Sequence, residues 1–158
     1  MAQKIEFTLN GKKITLETDP LRRLLDVLRE DCGMKAVKEG CGEGECGACS
    51  VFRDGLLVNS CMVPVGMCDG FAVETPEGVR ETERGKAIID AYAESGAVQC
   101  GFCTPGMLMA TEALLRENTR PSEAEVREAL SGNLCRCTGY DMIVEGVLRA
   151  AERGNGLW

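Results

Sequence analysis

The sequence predicts an α+β protein whose first half is a small sheet carrying one helix and whose second half is helical. The chain of 158 residues is long enough for one medium domain or two small ones. Apolar residues alternate with a period of two in the first half and repeat at helical spacing in the second half. The hydrophobic content of 44% allows a real core, and the aromatic content of 4% makes that core aliphatic.

Two hairpin patterns define the predicted sheet. Residues 4–18 alternate apolar and polar side chains around Asn10-Gly11, a pair typical of a type I′ turn. Residues 50–60 turn at Asp54-Gly55, which places Cys49 opposite Ser60. Residues 71–78 predict a last short strand and its exit from the sheet.

One helix is expected between the two hairpins. Residues 19–31 change from strand to helical spacing. Asp19 is the expected N-cap and Pro20 the expected first helical residue. The apolar face of this helix would consist of Leu21, Leu24, Leu25 and Leu28.

Four helices are predicted in the second half. The first ends at Gly96, the second has Thr104 as N-cap and Pro105 at its first position, and the third opens with a capping box from Ser122 to Glu125. The fourth follows Thr138. Helices of this number and length fit a small bundle.

The net charge of −7 argues against two classes of partner. Nucleic acids and anionic membrane surfaces are bound by clustered Lys and Arg, so neither is expected as a partner. No apolar run approaches the ~20 residues that cross a bilayer. The N-terminal residues show no signal-peptide pattern, so we expect a cytoplasmic protein with reduced thiols.

The chain has ten cysteines and no histidine. Clustered cysteines in a reducing compartment are typical of metal ligands or redox groups rather than of disulfides. The absence of histidine excludes mixed cysteine–histidine zinc sites and Rieske ligation. Any metal in this chain must be held mainly by thiolate.

The stretch "EGCGEGECGACS" at residues 39–50 supports two interpretations. Gly42, Gly44 and Gly47 match G-x-G-x-x-G, which is typical of a dinucleotide site only between a strand and a helix. A strand and turn follow Gly47 here, so the dinucleotide interpretation is weak. In the other interpretation, these glycines shape a loop around a metal cluster, because glycine permits positive φ and close backbone approach.

The cysteines of this stretch have the spacing of a plant-type ferredoxin. Cys41, Cys46 and Cys49 form C-x4-C-x2-C, as in ferredoxins that bind a 2Fe-2S cluster. The second hairpin returns Cys61 to the side of Cys49, which completes a set of four ligands. A zinc knuckle is the alternative, although four-cysteine zinc sites more often use paired C-x2-C arms.

A second cysteine group lies in the helical half. Cys100 and Cys103 form C-x2-C, and Cys135 and Cys137 form C-x-C. Cys103 and Cys137 each precede a predicted helix start, where the helix dipole and free N–H groups favour an anionic cluster. Taken alone, this group of cysteines could also hold a zinc ion. In a chain that also has a ferredoxin-type loop, it favours a second iron–sulfur centre.

Taken together, these motifs resemble the small iron–sulfur subunit of the molybdenum hydroxylases, the xanthine dehydrogenase and aldehyde oxidoreductase family. The resemblance covers nearly the whole chain and rests on four segments in the family's order. These are "VKEGCGEGECGACSV", "NSC", "GAVQCGFCTPGM" and "SGNLCRCTGY".

The resemblance implies a division of the chain. Residues 1–76 would form a β-grasp, ferredoxin-like domain that holds a 2Fe-2S cluster facing a flavin subunit. Residues 77–84 would be a linker. Residues 85–158 would form a four-helix domain that holds a second 2Fe-2S cluster nearer the molybdenum cofactor.

The resemblance also implies the function. Electrons would pass from a molybdenum–pterin site in a large subunit through both 2Fe-2S clusters to FAD in another subunit, within a heterotrimer or a dimer of it. Gln99 and Cys137 would contact the pterin. This chain would have no catalytic residue and no substrate site. General resemblance favours a purine or another N-heterocycle as the substrate of the complex.

Two other hypotheses stay open at this point. A free-standing two-cluster ferredoxin would serve several partners, although it would not need the pterin-facing motif at Gln99. A structural zinc protein would be colourless. Cys32 and Cys68 lie outside both cysteine groups and are expected to be buried or partly buried free thiols, with a redox-sensing or alternate ligand role as the alternative. Trp158 could either fray or anchor a partner.

Overall fold

The computed structural model describes residues 1–154 and 156–158, and places a five-stranded sheet in the first half of the chain. The sheet order is β2-β1-β5-β3-β4, in which β1 and β5 are parallel and the other neighbours antiparallel. This mixed architecture is consistent with a ferredoxin-like fold. The strands are β1 (Gln3–Leu9), β2 (Lys12–Thr18), β3 (Ser50–Arg53), β4 (Leu56–Asn59) and β5 (Ala72–Glu74).

Both predicted hairpins are confirmed. Asn10 and Gly11 have φ values of 48° and 79°, and Asp54 and Gly55 have 49° and 82°, as a type I′ turn requires at both central residues. The predicted register of the second hairpin is also correct, since Val51 pairs with Val58 and Arg53 with Leu56.

The helix predicted at residues 19–31 begins later than expected. Residues 20–22 form a turn, and Arg23 pairs with Pro64 before the helix begins. Backbone hydrogen bonds run here from Leu24 N–H to Val63 O at 2.7 Å and from Val65 N–H to Arg22 O at 2.8 Å. Asp19 is therefore not an N-cap, although its carboxylate accepts from Leu21 N–H at 3.0 Å. Leu21 is exposed, which corrects its predicted place on the buried face. Helix α1 (Leu24–Asp26) continues as a π-helix over Val27–Asp31.

Helices occupy the second half, as predicted. They are α2 (Pro76–Val79), α3 (Glu83–Ser95), α4 (Thr104–Glu117), α5 (Glu123–Ala129) and α6 (Asp141–Arg153). The left-handed Gly96 (φ 70°) that ends α3 is confirmed, as is the Ser122–Glu125 capping box of α5. The predicted linker 77–84 contains most of α2 and the start of α3, and the division of the chain there stays a prediction.

Two helix starts differ from the prediction. Cys103, not Thr104, is the N-cap of α4. Helix α6 begins at Asp141 instead of just after Cys137, because Gly139 (φ 67°) and Tyr140 (φ 73°) have left-handed backbone conformations that no α-helix continues.

The chain forms two adjoining hydrophobic cores. The first lies between the sheet and α1, and includes Ile5, Phe7, Leu24, Leu28 and Val51. The second lies among the helices and includes Ile88, Met107, Leu115 and Val147. Phe52 of β3 belongs to this second core, so the sheet and the helices share buried surface.

A buried carboxylate joins helices α3 and α4. Glu112 of α4 is fully buried, and its Oε1 accepts from Arg84 of α3 and from Arg116 of α4, each at 2.9 Å. Arg116 reaches Glu74 of β5 at 3.3 Å and stacks over the ring of Phe52. These charged groups tie the helices to the sheet.

Within residues 1–154 and 156–158, no helix is both long and apolar enough to cross a membrane.

Candidate metal centres

Residues 39–49, which contain Cys41, Cys46 and Cys49, form a loop with no helix or strand before β3 begins at Ser50. Gly42, Gly44 and Gly47 have φ values of 73°, 82° and 67°, which glycine adopts without steric cost. Because strand β3 rather than a helix follows Gly47, the stretch is not the strand–turn–helix of a dinucleotide site.

Cys41 lies where backbone N–H groups converge. Its Sγ accepts from the N–H of Glu43 at 3.4 Å and of Glu45 at 3.3 Å. These donors, with the N–H of Cys46, lower the pKa of Cys41 to about 7. Cys46 also interacts with Cys41 through its side chain, so these two thiols form one pair. The loop thus favours thiolate at Cys41 before any metal is considered.

Cys49 and Cys61 form a second, buried pair in this site. The hairpin of β3 and β4 brings them together, with Ser60 N–H and Oγ both donating to Cys49 O, at 3.2 and 2.7 Å. Burial raises the pKa of Cys61 to about 11, and the neighbouring Cys49 sulfur contributes to that rise. The hairpin therefore delivers Cys61 as the sequence predicted.

The second group of cysteines lies at the ends of two helices. Cys100 and Cys103 precede α4, and Cys135 and Cys137 lie in the turn before α6. The Sγ atoms of Cys137 and Cys100 are 3.6 Å apart. Burial raises the pKa of Cys103 to about 12, and the adjacent Cys135 sulfur adds to the effect.

The Cys135 sulfur receives a hydroxyl donor. Thr138 Oγ1 donates to Cys135 Sγ at 3.2 Å. Burial alone would raise the pKa of Cys135, but hydrogen bonds from Thr138, the Cys137 N–H and the Cys103 side chain together outweigh it and lower that pKa. The N–H of Cys135 in turn donates to the Tyr140 hydroxyl at 2.8 Å.

Each group of four cysteines thus consists of two pairs. A 2Fe-2S cluster takes two protein ligands on each of its two irons, so paired thiols fit it. Within the described residues, no three Cys, Asp or Glu side chains are placed to hold one metal ion, as a single zinc would require. A Cβ at Gly40 would lie 2.6 Å from Cys46 Sγ, so the loop leaves space around that sulfur that only glycine preserves.

The charge on the thiols agrees with this fit. In three pairs one member has a raised pKa to which its partner contributes, namely Cys61, Cys103 and Cys137. Two neighbouring thiolates repel each other, and positively charged metal removes that repulsion and deprotonates coordinating thiols. The residues present therefore fit two 2Fe-2S clusters.

The two sites touch through one backbone and one side-chain hydrogen bond. The N–H of Leu134 donates to Cys46 O at 2.9 Å, and Asn133 Nδ2 donates to Gly47 O at 3.2 Å. A Cβ at Gly106, in the first turn of α4, would collide with Gly47 O. Sequence reasoning missed Asn133, Leu134 and Gly106, because spacing along the chain contains no information about contacts between distant loops.

The remaining predicted residues lie outside these contacts. Gln99 is exposed beside the exposed Cys100. Cys68 is buried, and Cys32 is only partly buried. Trp158 packs against the helical core as a half-buried side chain.

Comparisons with known proteins agree with this geometry. A family model described as "2Fe-2S iron-sulfur cluster binding domain" matches residues 7–66, and one described as "[2Fe-2S] binding domain" matches residues 75–148. The small FeS subunit of nicotinate dehydrogenase from Eubacterium barkeri is 48% identical over 149 residues, or 94% of this chain and 95% of that subunit. The iron-sulfur-binding subunit of xanthine dehydrogenase from Escherichia coli O157:H7 is 47% identical, over 91% of both chains.

A solved structure gives the same result. Quinoline 2-oxidoreductase from Pseudomonas putida 86 superposes with a TM-score of 0.92 at 40% identity, over 98% of this chain and 97% of that one. Fold, cysteine pairs and matches together define a protein with two 2Fe-2S-binding domains. The chain belongs to the family of small iron–sulfur subunits of molybdenum hydroxylases, which includes xanthine dehydrogenase and aldehyde oxidoreductase.

Proposed function

We propose that this chain relays electrons between a molybdenum–pterin subunit and an FAD subunit of a hydroxylase complex. Cys41, Cys46, Cys49 and Cys61 would hold one 2Fe-2S cluster, and Cys100, Cys103, Cys135 and Cys137 the other. The clusters would supply one-electron transfer. The observation that carries the proposal is the pair of four-thiol sites in contact through the hydrogen bond from Leu134 N–H to Cys46 O.

The two sites differ in exposure, which gives the relay a direction in space. Cys49 and Cys61 are buried, whereas Cys100 and Cys137 are exposed at the surface of the helical half. Electron transfer rates fall with distance, so an exposed ligand pair is suited to exchange with a neighbouring subunit. Following the order that the family resemblance implies, we assign the helical site to the molybdenum side and the ferredoxin-like site to the FAD side.

An apolar surface surrounds the exposed ligand pair. Val98 and Phe102 flank Cys100, and Leu134 lies next to Cys135, with exposed fractions of 45%, 48% and 55%. Exposed apolar groups clustered around a functional site mark a protein interface. This surface, with the neighbouring exposed Gln99, is our candidate for the contact with the large subunit, and Gln99 and Cys137 are our candidates for the contact with the pterin.

We further propose that α3 to α6 constitute the four-helix bundle domain implied by the family. Helices α3 and α6 pack along each other, and α5 contacts both α4 and α6. The four helices enclose one hydrophobic core. The boundaries 1–76, 77–84 and 85–158 and the cytoplasmic location belong to the same proposal.

For the complex as a whole, we propose hydroxylation of an N-heterocycle with oxygen from water, the two electrons leaving through the clusters of this chain. Support comes from the names of relatives, which refer to nicotinate, xanthine and quinoline. The active site would lie on the large subunit.

Low-temperature EPR of the dithionite-reduced complex tests the proposal, with iron and molybdenum counted in the same sample. The expected result is two distinct 2Fe-2S signals, about four irons per chain and associated molybdenum. Two signals without molybdenum or partner chains would instead identify a free ferredoxin. A colourless, EPR-silent sample that contains zinc would disprove both cluster assignments.

A further inference from the structure

We propose that the Thr138 hydroxyl sets the reduction potential of the helical 2Fe-2S site selectively, by donating a hydrogen bond to the sulfur of Cys135. This inference rests on the proposed function, because it assumes that Cys135 is a cluster ligand. Thr138 would not hold the metal itself. It would act as a positioning residue that stabilises one redox state over the other.

The geometry leaves the hydroxyl proton of Thr138 available to the sulfur. Thr138 Oγ1 accepts from Tyr140 N–H at 3.2 Å and lies 3.2 Å from Cys135 Sγ. A hydroxyl has one proton and two acceptor lone pairs. Since the Tyr140 amide uses an acceptor position, the proton is free to donate to the sulfur.

Tyr140 closes this arrangement into a ring. The Tyr140 hydroxyl accepts from Cys135 N–H at 2.8 Å, so this hydrogen bond links the last residue of the turn to the first. Tyr140 holds a left-handed backbone conformation, with φ 73°, that side chains larger than glycine rarely adopt. The turn therefore keeps an unfavourable backbone geometry at Tyr140. This geometry brings the Tyr140 amide to Thr138 and the Tyr140 hydroxyl to Cys135.

The bond acts on only one of the two sites. In residues 1–154 and 156–158, no other side-chain hydroxyl donates to a cysteine sulfur, and the N–H donors to the sulfurs of the first site are backbone amides, at Cys41 and at Cys61. A side-chain substitution at residue 138 thus leaves the donors of the first site in place. That site serves as an internal reference in the same molecule.

The expected direction follows from charge. A reduced cluster carries one more negative charge than an oxidised one, so a donor to its sulfur ligand stabilises the reduced state more. Loss of the hydroxyl should therefore lower the potential of the helical site. At a fixed solution potential, its ratio of oxidised to reduced form should rise.

The test is an EPR-monitored redox titration of the intact complex carrying Thr138→Val or Thr138→Ser. Valine keeps the shape of threonine without the donor, and serine keeps the donor. For T138V we expect the oxidised-to-reduced ratio of the helical site to rise about tenfold, equivalent to about 59 mV for a one-electron couple. The ratio should stay within about twofold in T138S and, at the first site, in both variants.

Several outcomes would overturn the proposal. These are an unchanged potential in T138V, equal shifts at both sites, or a shift in T138S as large as in T138V. If T138V loses iron, Thr138→Ala removes the same donor without a second methyl group and provides the same comparison. Loss of half the iron in T138V and T138A alike would make the hydroxyl a requirement for holding the cluster, which also contradicts the proposal.

The proposed function fails in a different way. Absence of two iron–sulfur signals from the unmodified complex would disprove the cluster assignment itself. Two normal signals with an unmoved potential in T138V would disprove only the role of Thr138. Assignment of the shifted signal to the helical site is checked with Cys100→Ser, which should alter or abolish that signal.

Discussion

At the scale of single residues, the cysteines differ by their neighbours rather than by their burial. Cys68 is as buried as Cys49, yet its raised pKa comes from burial alone, with Arg53 acting in the opposite direction. Burial raises the pKa of Cys61, and the neighbouring Cys49 thiol raises that pKa further. A thiol that faces another thiol is a candidate ligand, whereas an equally buried thiol without such a neighbour is part of the core.

Cys46→Ser, compared with Cys32→Ser, tests this distinction. C46S should lose the first cluster and about half of the iron, because a thiolate of the Cys41–Cys46 pair is removed. C32S should keep both clusters and all of its iron, since Cys32 belongs to neither group of four cysteines. The measurements are iron per chain and the two EPR signals. Full iron in C46S, or an equal loss in C32S, would refute the ligand assignment.

Gln99→Ala tests the proposed contact with the pterin-bearing subunit, with Gln3→Ala as a matched control at another exposed glutamine. Q99A should retain all its iron and weaken binding to the large subunit about three- to tenfold, the worth of one hydrogen bond. Q3A should bind normally. Titration of the small subunit against the large one measures both. Loss of half the iron in Q99A would instead give Gln99 a structural role at the cluster.

At the scale of elements, the first turn of α4 lies directly on the cluster loop of the other half. Gly106 permits this approach because any side chain there would meet the carbonyl oxygen of Gly47. Gly106→Ala should lower the free energy of unfolding by about 1–3 kcal/mol through overpacking. Gly132→Ala is the control, since a Cβ at Gly132 has no neighbour within 4 Å.

Urea denaturation of both variants measures this difference. The magnetic interaction between the two reduced clusters should also weaken in G106A, because the loops that carry Cys46 and Cys103 would move apart. G132A should change stability by no more than about 0.5 kcal/mol. Equal stability of the two variants would show that the contact of Gly106 with Gly47 contributes nothing.

The elements also show how far the sequence predicts the fold. The Asn10-Gly11 and Asp54-Gly55 turns and the Ser122 capping box were predictable because each depends on a few adjacent residues. The helix start at Asp19 was wrong because residues 20–24 gain backbone hydrogen bonds from residues 63–66. Local capping preference is weaker than such tertiary pairing.

The candidate sites likewise combine features that adjacent residues predict with features that they do not. Cys61 was predictable, since a hairpin register relates it to Cys49. The predicted start of the last helix directly after Cys137 was wrong, because Tyr140 takes a left-handed conformation that its residue type does not favour and the helix begins only at Asp141. The hydrogen bond from Leu134 to Cys46 joins segments that are far apart in sequence, and no local pattern indicates it.

At the scale of the whole molecule, the buried Glu112 carboxylate belongs to the charged group through which Arg116 joins the helices to the sheet. Glu112→Gln keeps the volume of the side chain and removes the charge that Arg84 and Arg116 share. We expect a loss of about 2 kcal/mol, since hydrogen bonds to charged groups are worth about 1.5–3 kcal/mol and both arginines remain partly hydrated. Glu117→Gln, on the exposed side of α4, should be close to neutral.

Denaturant unfolding compares E112Q with E117Q at constant pH and salt. A loss of stability in E112Q alone would show that its ion pairs stabilise the packing of α3 on α4 and the position of Arg116, which reaches Glu74 of the sheet. If E112Q were as stable as the unmodified chain, the orientation of the halves would depend on the shared core at Phe52 instead.

The distribution of exposed apolar groups over the whole chain gives the last prediction. Leu21 is more exposed than Phe102, at 78% against 48%, but it belongs to the sheet half, whereas Phe102 lies between Cys100 and Cys103. If the apolar surface around Cys100 docks the large subunit, Phe102→Ser should weaken assembly about tenfold, as truncation of an interface aromatic does. Leu21→Ser removes more exposed apolar surface and should not affect assembly. Affinity for the large subunit, with iron content checked in both variants, separates the two cases. Equal weakening by both would mean that general surface hydrophobicity, and not this surface, drives the association.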